Sequence, residues 1–230
     1  MAKGFYNEKN IDKFMNAVRA AKSALDNGEE IKVHISASNS KMGAVASVSL
    51  PPFLTCPAVC AGTCGKYCYA AKIAALRPNV LKNYAENLVI CLYRNSEYWK
   101  AINNYVRGVR FFRFHVSGDI LNFDYFCEMV KTAYNAPHCE FLAFTKRYNV
   151  VNEWIMSGGI LPENLHILFS GEKNLKPENP HNLPETTIYE KGETPCDSWM
   201  LCGGNCFECG CRGVGCWQLK RGDVLAFEKH

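Results

Sequence analysis

Four cysteines stand at even spacing in "TCPAVCAGTCGKYCYA": Cys56, Cys60, Cys64 and Cys68, with three residues in each gap. Four thiolates complete a tetrahedral zinc site or hold an iron–sulfur cluster. Positions four apart share one face of a helix. Pro57, Gly62 and Gly65 argue against one continuous helix and for a segment that loops around its ligand. A cubane spreads its iron atoms over a larger volume than one zinc ion, which suits such a loop. Zinc knuckles more often use two-residue gaps. Four unrelated buried cysteines are the bland alternative, and the regular spacing speaks against it. Three ligands suffice if one iron is left open, and an open iron is where S-adenosylmethionine is activated for radical chemistry.

A second set lies in "PCDSWMLCGGNCFECGCRGVGCW": Cys196, Cys202, Cys206, Cys209, Cys211 and Cys216. Six thiols exceed the ligands of any single mononuclear site, so at least two would be spare. Three readings stay open: an auxiliary iron–sulfur cluster, a structural zinc that folds a core-poor tail, or ligands that complete the first cluster. Cys91, Cys127 and Cys139 sit on apolar-periodic segments and read as small buried hydrophobes. His230 reads as a free terminal side chain.

Thirteen cysteines in 230 residues need a compartment in which they make sense. "MAKGFYNEKN" lacks the apolar core of a signal peptide. No apolar stretch approaches the roughly 20 residues of a membrane span. The expectation is a cytoplasmic protein with reduced thiols, for which clustered cysteines mean metal before disulfides. A net charge of +4 is too small to imply nucleic acid.

The elements that must position these residues alternate. Residues 9–27 read as an amphipathic helix ended by Gly28, and "IKVHIS" (31–36) and "AVASVSLPP" (44–52) as strands leading to the cysteines. Residues 80–106 read as helix, broken near Asn95 and Ser96. Strands at 111–116, 139–145 and 165–170 alternate with helices at 123–134 and 150–158. This order predicts an α/β fold: a partial, open TIM-like barrel of βα units with a C-terminal cysteine-rich appendage. Residues 1–173 would form the barrel, with the N-terminal helix and the cysteine loop (56–68). Residues 174–230, opening on the Pro- and Asn-rich "KNLKPENPHNLPETT", would be a linker and a metal-binding tail.

The strands are more polar than doubly buried parallel strands should be. In "FFRFHVS", Arg113, His115 and Ser117 alternate with Phe112, Phe114 and Val116. Lys32, His34 and Ser36 alternate with Val33 and Ile35, and His166 shares a face with Ser170. The expectation is a polar cavity on the inner face, with His115, Arg113 and His34 as catalytic candidates; a plain solvated sheet surface is the alternative. Each strand ends in a small polar turn where α/β folds place ligands. These turns supply Ser117, Gly118 and Asp119, then Thr145, then Ser170, Gly171 and Glu172, all as cofactor-binding candidates; helix capping is the ordinary use of such residues.

The run "SVSLPPFLTCP…C…CYA", with "FRFHVSGDI", "FLAFTK" and the cysteine-rich end, resembles the phage "gene product 88" family over most of the chain. More distantly, the layout is similar to radical S-adenosylmethionine enzymes. In them a strand leads into a cysteine loop, then a helix, then a strand ending in a Gly-Gly-Glu-like turn. That resemblance implies that Ser117, Gly118 and Asp119 lie near the methionine amino group. All gaps here are three where that family has three and then two, while Tyr67 stands before Cys68 as its aromatic does.

Two functions compete. One is an iron–sulfur enzyme of phage or mobile-element origin in a bacterial host cell, radical-SAM-like, with one or two [4Fe–4S] clusters and S-adenosylmethionine. It would act on a nucleotide, nucleic acid or other polar substrate. The other is a zinc-organised module for nucleic-acid binding or protein interaction, with Lys146, Arg147, Arg212, Lys220 and Arg221 on phosphates. Thiol redox chemistry ranks last, because the one C-x-x-C, Cys206 to Cys209, lies outside any βαβ unit. No membrane contact is expected, and substrate and oligomeric state are not legible.

Overall fold

The computed structural model describes residues 4–229, so His230 lies outside the described residues. Among the described residues, seven α-helices and eight strands alternate over much of the chain. The strands make one open sheet in the order β1-β2-β3-β4-β5-β6-β8-β7. The registered pairs from β3 onward are all parallel. The mixed α/β class follows from this order.

The chain divides into two compact units. The first runs to Ser36 and resumes over Val48–Gly108 and His115–Leu121; the second takes Ala37–Ser47, Val109–Phe114 and the chain from Asn122.

In the first unit, α1 (Glu8–Asp26) begins where the Asn7 side chain accepts from the Asn10 amide, as an N-cap should. It ends at Gly28, whose φ of 73° suits a residue without Cβ. The cysteine loop consists of two 3-10 turns, Ala58–Ala61 and Cys64–Tyr67. Helix α2 (Tyr69–Leu76) follows and was not foreseen from the sequence. Cys68 caps it, its Sγ accepting from the Ala71 amide at 3.4 Å. Pro78 at the start of α3 (Pro78–Tyr93) enforces the break between the two helices. Phe14 of α1, Ala71 and Ala74 of α2 and Leu81 of α3 share one buried cluster. Burying Phe14 alone stabilises by about 2–3 kcal/mol. Helix α4 (Asn95–Val106) completes the set, with the break at Arg94 close to where it was expected.

Two strands are shorter than the sequence pattern implied. Only β1 (Ile35–Ser36) forms from 31–36. The His34 amide donates to Asn87 Oδ1 at 2.7 Å, and its carbonyl accepts from Asn87 Nδ2. A side chain from α3 thus takes the place of a neighbouring strand, which periodicity alone cannot reveal. Strand β2 is Ala46–Val48.

In the second unit, β3 (Phe111–Phe114), β4 (Glu140–Thr145) and β5 (Leu165–Ser170) form the centre. Helices α5 (Phe123–Asn135) and α6 (Tyr148–Met156) make the crossovers. Phe112, Phe114 and Phe141 cluster on one face, with Phe114 stacked on Phe141 at 5.7 Å. Tyr148 of α6 meets Phe169 on that same face.

The stretch read as a linker does not stay irregular. It leads into β6 (Glu185–Tyr189), which pairs with β5. Then come β7 (Met200–Leu201), α7 (Cys206–Arg212) and β8 (Val224–Glu228). The Pro and Asn residues of 174–184 shape a crossover: Asn179 bonds to Leu183 through both its side-chain oxygen and nitrogen.

Candidate functional site

The cysteine-rich tail lies on the face of the second unit that the sequence assigned to an open polar cavity. Phe111 meets Phe207 at 5.9 Å and Trp217 at 5.0 Å. His166 meets the Trp217 ring edge-on. Trp217 belongs to a 3-10 turn, Gly215–Trp217, packed on β4 and β5. The expectation of an open cavity at this face is corrected: the alternating polar residues of β3 and β5 face the tail. A cavity of about 180 Å³ remains beside β5, lined in part by His166, Leu168 and Cys216. Ligand pockets usually start near 300 Å³.

The three catalytic candidates have separate surroundings. His34 pairs through Nε2 with Glu86 Oε2 at 2.5 Å, and Glu86 is buried on α3. His115 follows the end of β3 instead of continuing it. Its φ is 62°, and its amide donates to the Val48 carbonyl. The expected strand 111–116 therefore stops at Phe114, and Arg113 and His115 do not share a strand face. Arg113, in the second unit, stacks on the Phe144 ring at 4.4 Å and touches Met42 Sδ. Burial lowers its pKa, and the tail cysteines Cys206, Cys216 and Cys202 act against that.

The turn after β3 is built against the cysteine loop within the first unit. Gly118, with φ 81°, leaves no room for a side chain. A Cβ there would lie 2.5 Å from Thr55 Oγ1 and 2.9 Å from Leu50 Cβ. Thr55 directly precedes Cys56, and the Leu50 amide donates to the Ser117 carbonyl. Ser117 is 2% exposed and its hydroxyl meets no partner among the described residues. Asp119 accepts from the Ile120 amide. These contacts bring Ser117 and Gly118 against the segment that leads into the cysteine loop.

The strand-end turns of the second unit are closed by protein partners. Thr145 Oγ1 accepts from the Arg147 amide at 2.9 Å. Lys146 donates to Ser170 Oγ at 2.8 Å and pairs with Glu172 at 3.3 Å, both side chains being buried. Gly171 is held by its amide to the Thr186 carbonyl. Lys146 is thereby enclosed and not offered to a phosphate, and Arg221 donates to the His181 carbonyl.

All thirteen cysteines are free thiols. In the loop, Cys60 lies between Cys56 and Cys64 and shares hydrogen bonds with both, which push its thiol pKa up; burial adds to this. Cys68 is pushed up to about 11, first by burial and then by Cys56 and Cys64, against the Ala71 amide. Tyr6 packs edge-on to Phe53 at 4.8 Å beside this loop. A Cβ on Gly65 would lie 2.4 Å from the Cys60 carbonyl oxygen, so the coil admits only glycine there.

In the tail, burial pushes Cys216 up to about 12, with Cys206, Cys202 and Cys209 adding to it. Burial also raises Cys206, and Arg113 opposes that rise. Cys196 and Cys211 are exposed, and Ser198 holds the Cys196 thiol below its usual value. Cys91 and Cys139 are buried among apolar groups and raised to about 12, as small hydrophobes should be; Cys127 is half-buried. Among the described residues, no three His, Cys, Asp or Glu side chains are grouped so as to hold a metal ion as they stand. None of the described helices is long and apolar enough to cross a membrane.

A family model described as Gene product 88 matches residues 13–199. The chain belongs to the Gene product 88 family. The match covers the cysteine loop, the Ser117–Gly118–Asp119 turn and Cys196, and it ends before Cys202. No curated protein and no solved structure matches this Gene product 88 member.

The sequence missed Glu86 and Asn87 as partners of His34. Both sit inside an apolar helix face, "YAENLVICLY", where a buried carboxylate and amide are themselves a signal. It also missed Lys146 as the partner of Glu172, a pair formed across 26 residues.

Proposed function

We propose that this Gene product 88 protein is an iron–sulfur enzyme of the radical-S-adenosylmethionine type, acting on a nucleotide, nucleic acid or other polar substrate. One observation carries the reading: the Ser117–Gly118–Asp119 turn presses on Thr55, the residue before Cys56. A cofactor bound at the cysteines would have that turn beside it.

Further support comes from the site's chemistry. Cys56, Cys60 and Cys64 are side by side, while Cys68 is engaged as a helix cap. Three ligands of this kind would hold a [4Fe–4S] cluster, which supplies an open iron for a small molecule and an electron to activate it. Among the described residues the buried Ser117 hydroxyl has no hydrogen-bond partner, as a group reserved for a ligand would. The charged neighbours acting on Cys60 and Cys68 are other cysteines. A cluster held by thiolates carries negative charge, which suits a cationic co-ligand, and S-adenosylmethionine carries a sulfonium.

The fold is compatible. Strands β1 to β6 lie in consecutive order in the open sheet, as the strands of a partial TIM-like barrel would. Phage or mobile-element origin and a cytoplasmic setting fit reduced thiols.

The test is iron and sulfide analysis of protein purified without oxygen, followed by reduction with S-adenosylmethionine. About four irons per chain and release of methionine are expected. Colourless protein without sulfide ends the reading and leaves the zinc-organised binding module, whose mark is nucleic-acid affinity that falls steeply with salt.

A further inference from the structure

The segments that carry four of the six tail cysteines converge in the second unit, although no three of these thiols are grouped to hold an ion as they stand, and a cation reaches the same place. Cys206 and Cys209 are three residues apart in α7, one above the other on one face. The Cys209 sulfur lies 3.7 Å from where a Cβ on Gly203 would be and 3.6 Å from the same position on Gly215. Those glycines neighbour Cys202 and Cys216, so both flanking segments close on this sulfur. Gly204, Gly213 and Gly215 have positive φ, which lets the chain turn tightly enough to do so. Two bonds lock the arrangement: Trp217 Nε1 donates to the Cys206 carbonyl at 2.8 Å, and the Val214 amide to the Cys209 carbonyl at 3.0 Å. Cys202 is exposed like Cys196 and Cys211, but of these three only Cys202 neighbours a glycine, Gly203, that packs on the Cys209 sulfur.

Arg113 is the second observation. Its Nε is buried without a hydrogen-bond partner among the described residues. A guanidinium does not give up its proton in a protein, so its charge needs an answer. Its Nη1 donates to Met42 Sδ at 3.5 Å, and the Met42 carbonyl accepts from the Phe207 amide next to Cys206, so the guanidinium lies at the start of α7. Neutral thiols give a cation little. Four thiolates around one divalent ion leave two negative charges in excess, which a guanidinium offsets.

We propose that Cys202, Cys206, Cys209 and Cys216 bind one Zn²⁺ as a closed four-thiolate site, with Arg113 as its counter-ion against the sheet. The sulfurs close on the ion when they lose their protons, and α7 and the following 3-10 turn are fixed over β3–β5 as a result. The two remaining tail cysteines are not ligands. The site is separate from the cluster proposed for Cys56, Cys60 and Cys64, and it stands whether or not that cluster exists.

The experiment is metal analysis of the full-length chain, followed by alkylation mapped by mass spectrometry with and without a chelator. About one zinc per chain is expected. In the folded wild type, the four ligands should alkylate at least about tenfold more slowly than Cys196 and Cys211, until chelation removes the difference. C206S and C216S should lose the zinc, and C196S and C211S should keep it. R113Q should keep its zinc but yield it to chelator about tenfold faster. Alkylation of the unmutated protein reads out the site even if a cysteine variant fails to fold. Absence of zinc, equal alkylation of all six tail cysteines after allowing for exposure by chelation, or iron and sulfide that depend on these four would each overturn the proposal. Iron that depends on Cys56, Cys60 and Cys64 is scored separately, so failure of one centre is distinguishable from failure of the other.

Discussion

The two cysteine regions use the same side chain in different electrical settings. In the loop, thiols face thiols, and Cys56 and Cys64 raise the pKa of Cys60. In the tail, Arg113 stands among them and pulls Cys206 the other way. A thiolate group with a buried guanidinium built in is already balanced, while one that faces other thiols keeps its charge for an incoming ligand. The first arrangement suits an exchangeable, reactive centre and the second a closed, structural one.

The sharpest way to break this contrast is C60S. It should remove all bound iron and sulfide while leaving zinc at about one per chain, as read by elemental analysis. Loss of both metals together would mean that the regions are not independent.

The strand-end turns give the next largest effects. Lys146→Met leaves Glu172 buried without its cation and should cost about 3–5 kcal/mol in chemical unfolding. A loss under about 1 kcal/mol would return Ser170 and Glu172 to the list of ligand-binding groups. Gly118→Ala forces a side chain into Thr55 at positive φ. It should cost about 2–4 kcal/mol and weaken S-adenosylmethionine binding; unchanged binding in a folded variant removes the turn from the cofactor site. Gly210→Ala drives a methyl into the Phe111 ring, 2.7 Å from the Cβ position. It should cost about 1–3 kcal/mol and loosen zinc without touching iron.

The smallest effect concerns Cys196. A thiol held below its usual pKa is more ionised at pH 8, so Cys196 should alkylate first of the thirteen. C196S should change stability by less than about 0.5 kcal/mol. A slower Cys196 would point to protection in the assembled protein.

Much of the central fold was legible because its cues are local. Helix α5 and strand β5 fall at or within one residue of their apolar periods, and Asn122 caps α5 where sequence placed the helix start. What stayed hidden depends on partners far along the chain. His34 leaves its strand pattern because of Asn87, 53 residues on. Alternation in "FFRFHVS" suggested a shared face for Arg113 and His115, but one left-handed residue ends the alternation. Cysteine spacing marked both thiol groups, yet only the fold separates Cys202, Cys206, Cys209 and Cys216 from Cys196 and Cys211. The polarity of the sheet face was correctly read as needing partners; that the tail supplies them could not be read from a segment of its own.

The pairing of β6 with both β5 and β8 has a consequence for synthesis. As the polypeptide leaves the ribosome, β6 emerges some 35 residues before β8, and its outer edge must wait bare. An unpaired parallel edge invites other nascent chains. Expression at low temperature or with a holding chaperone should therefore raise the yield of well-dispersed molecules more than any change to the mature surface.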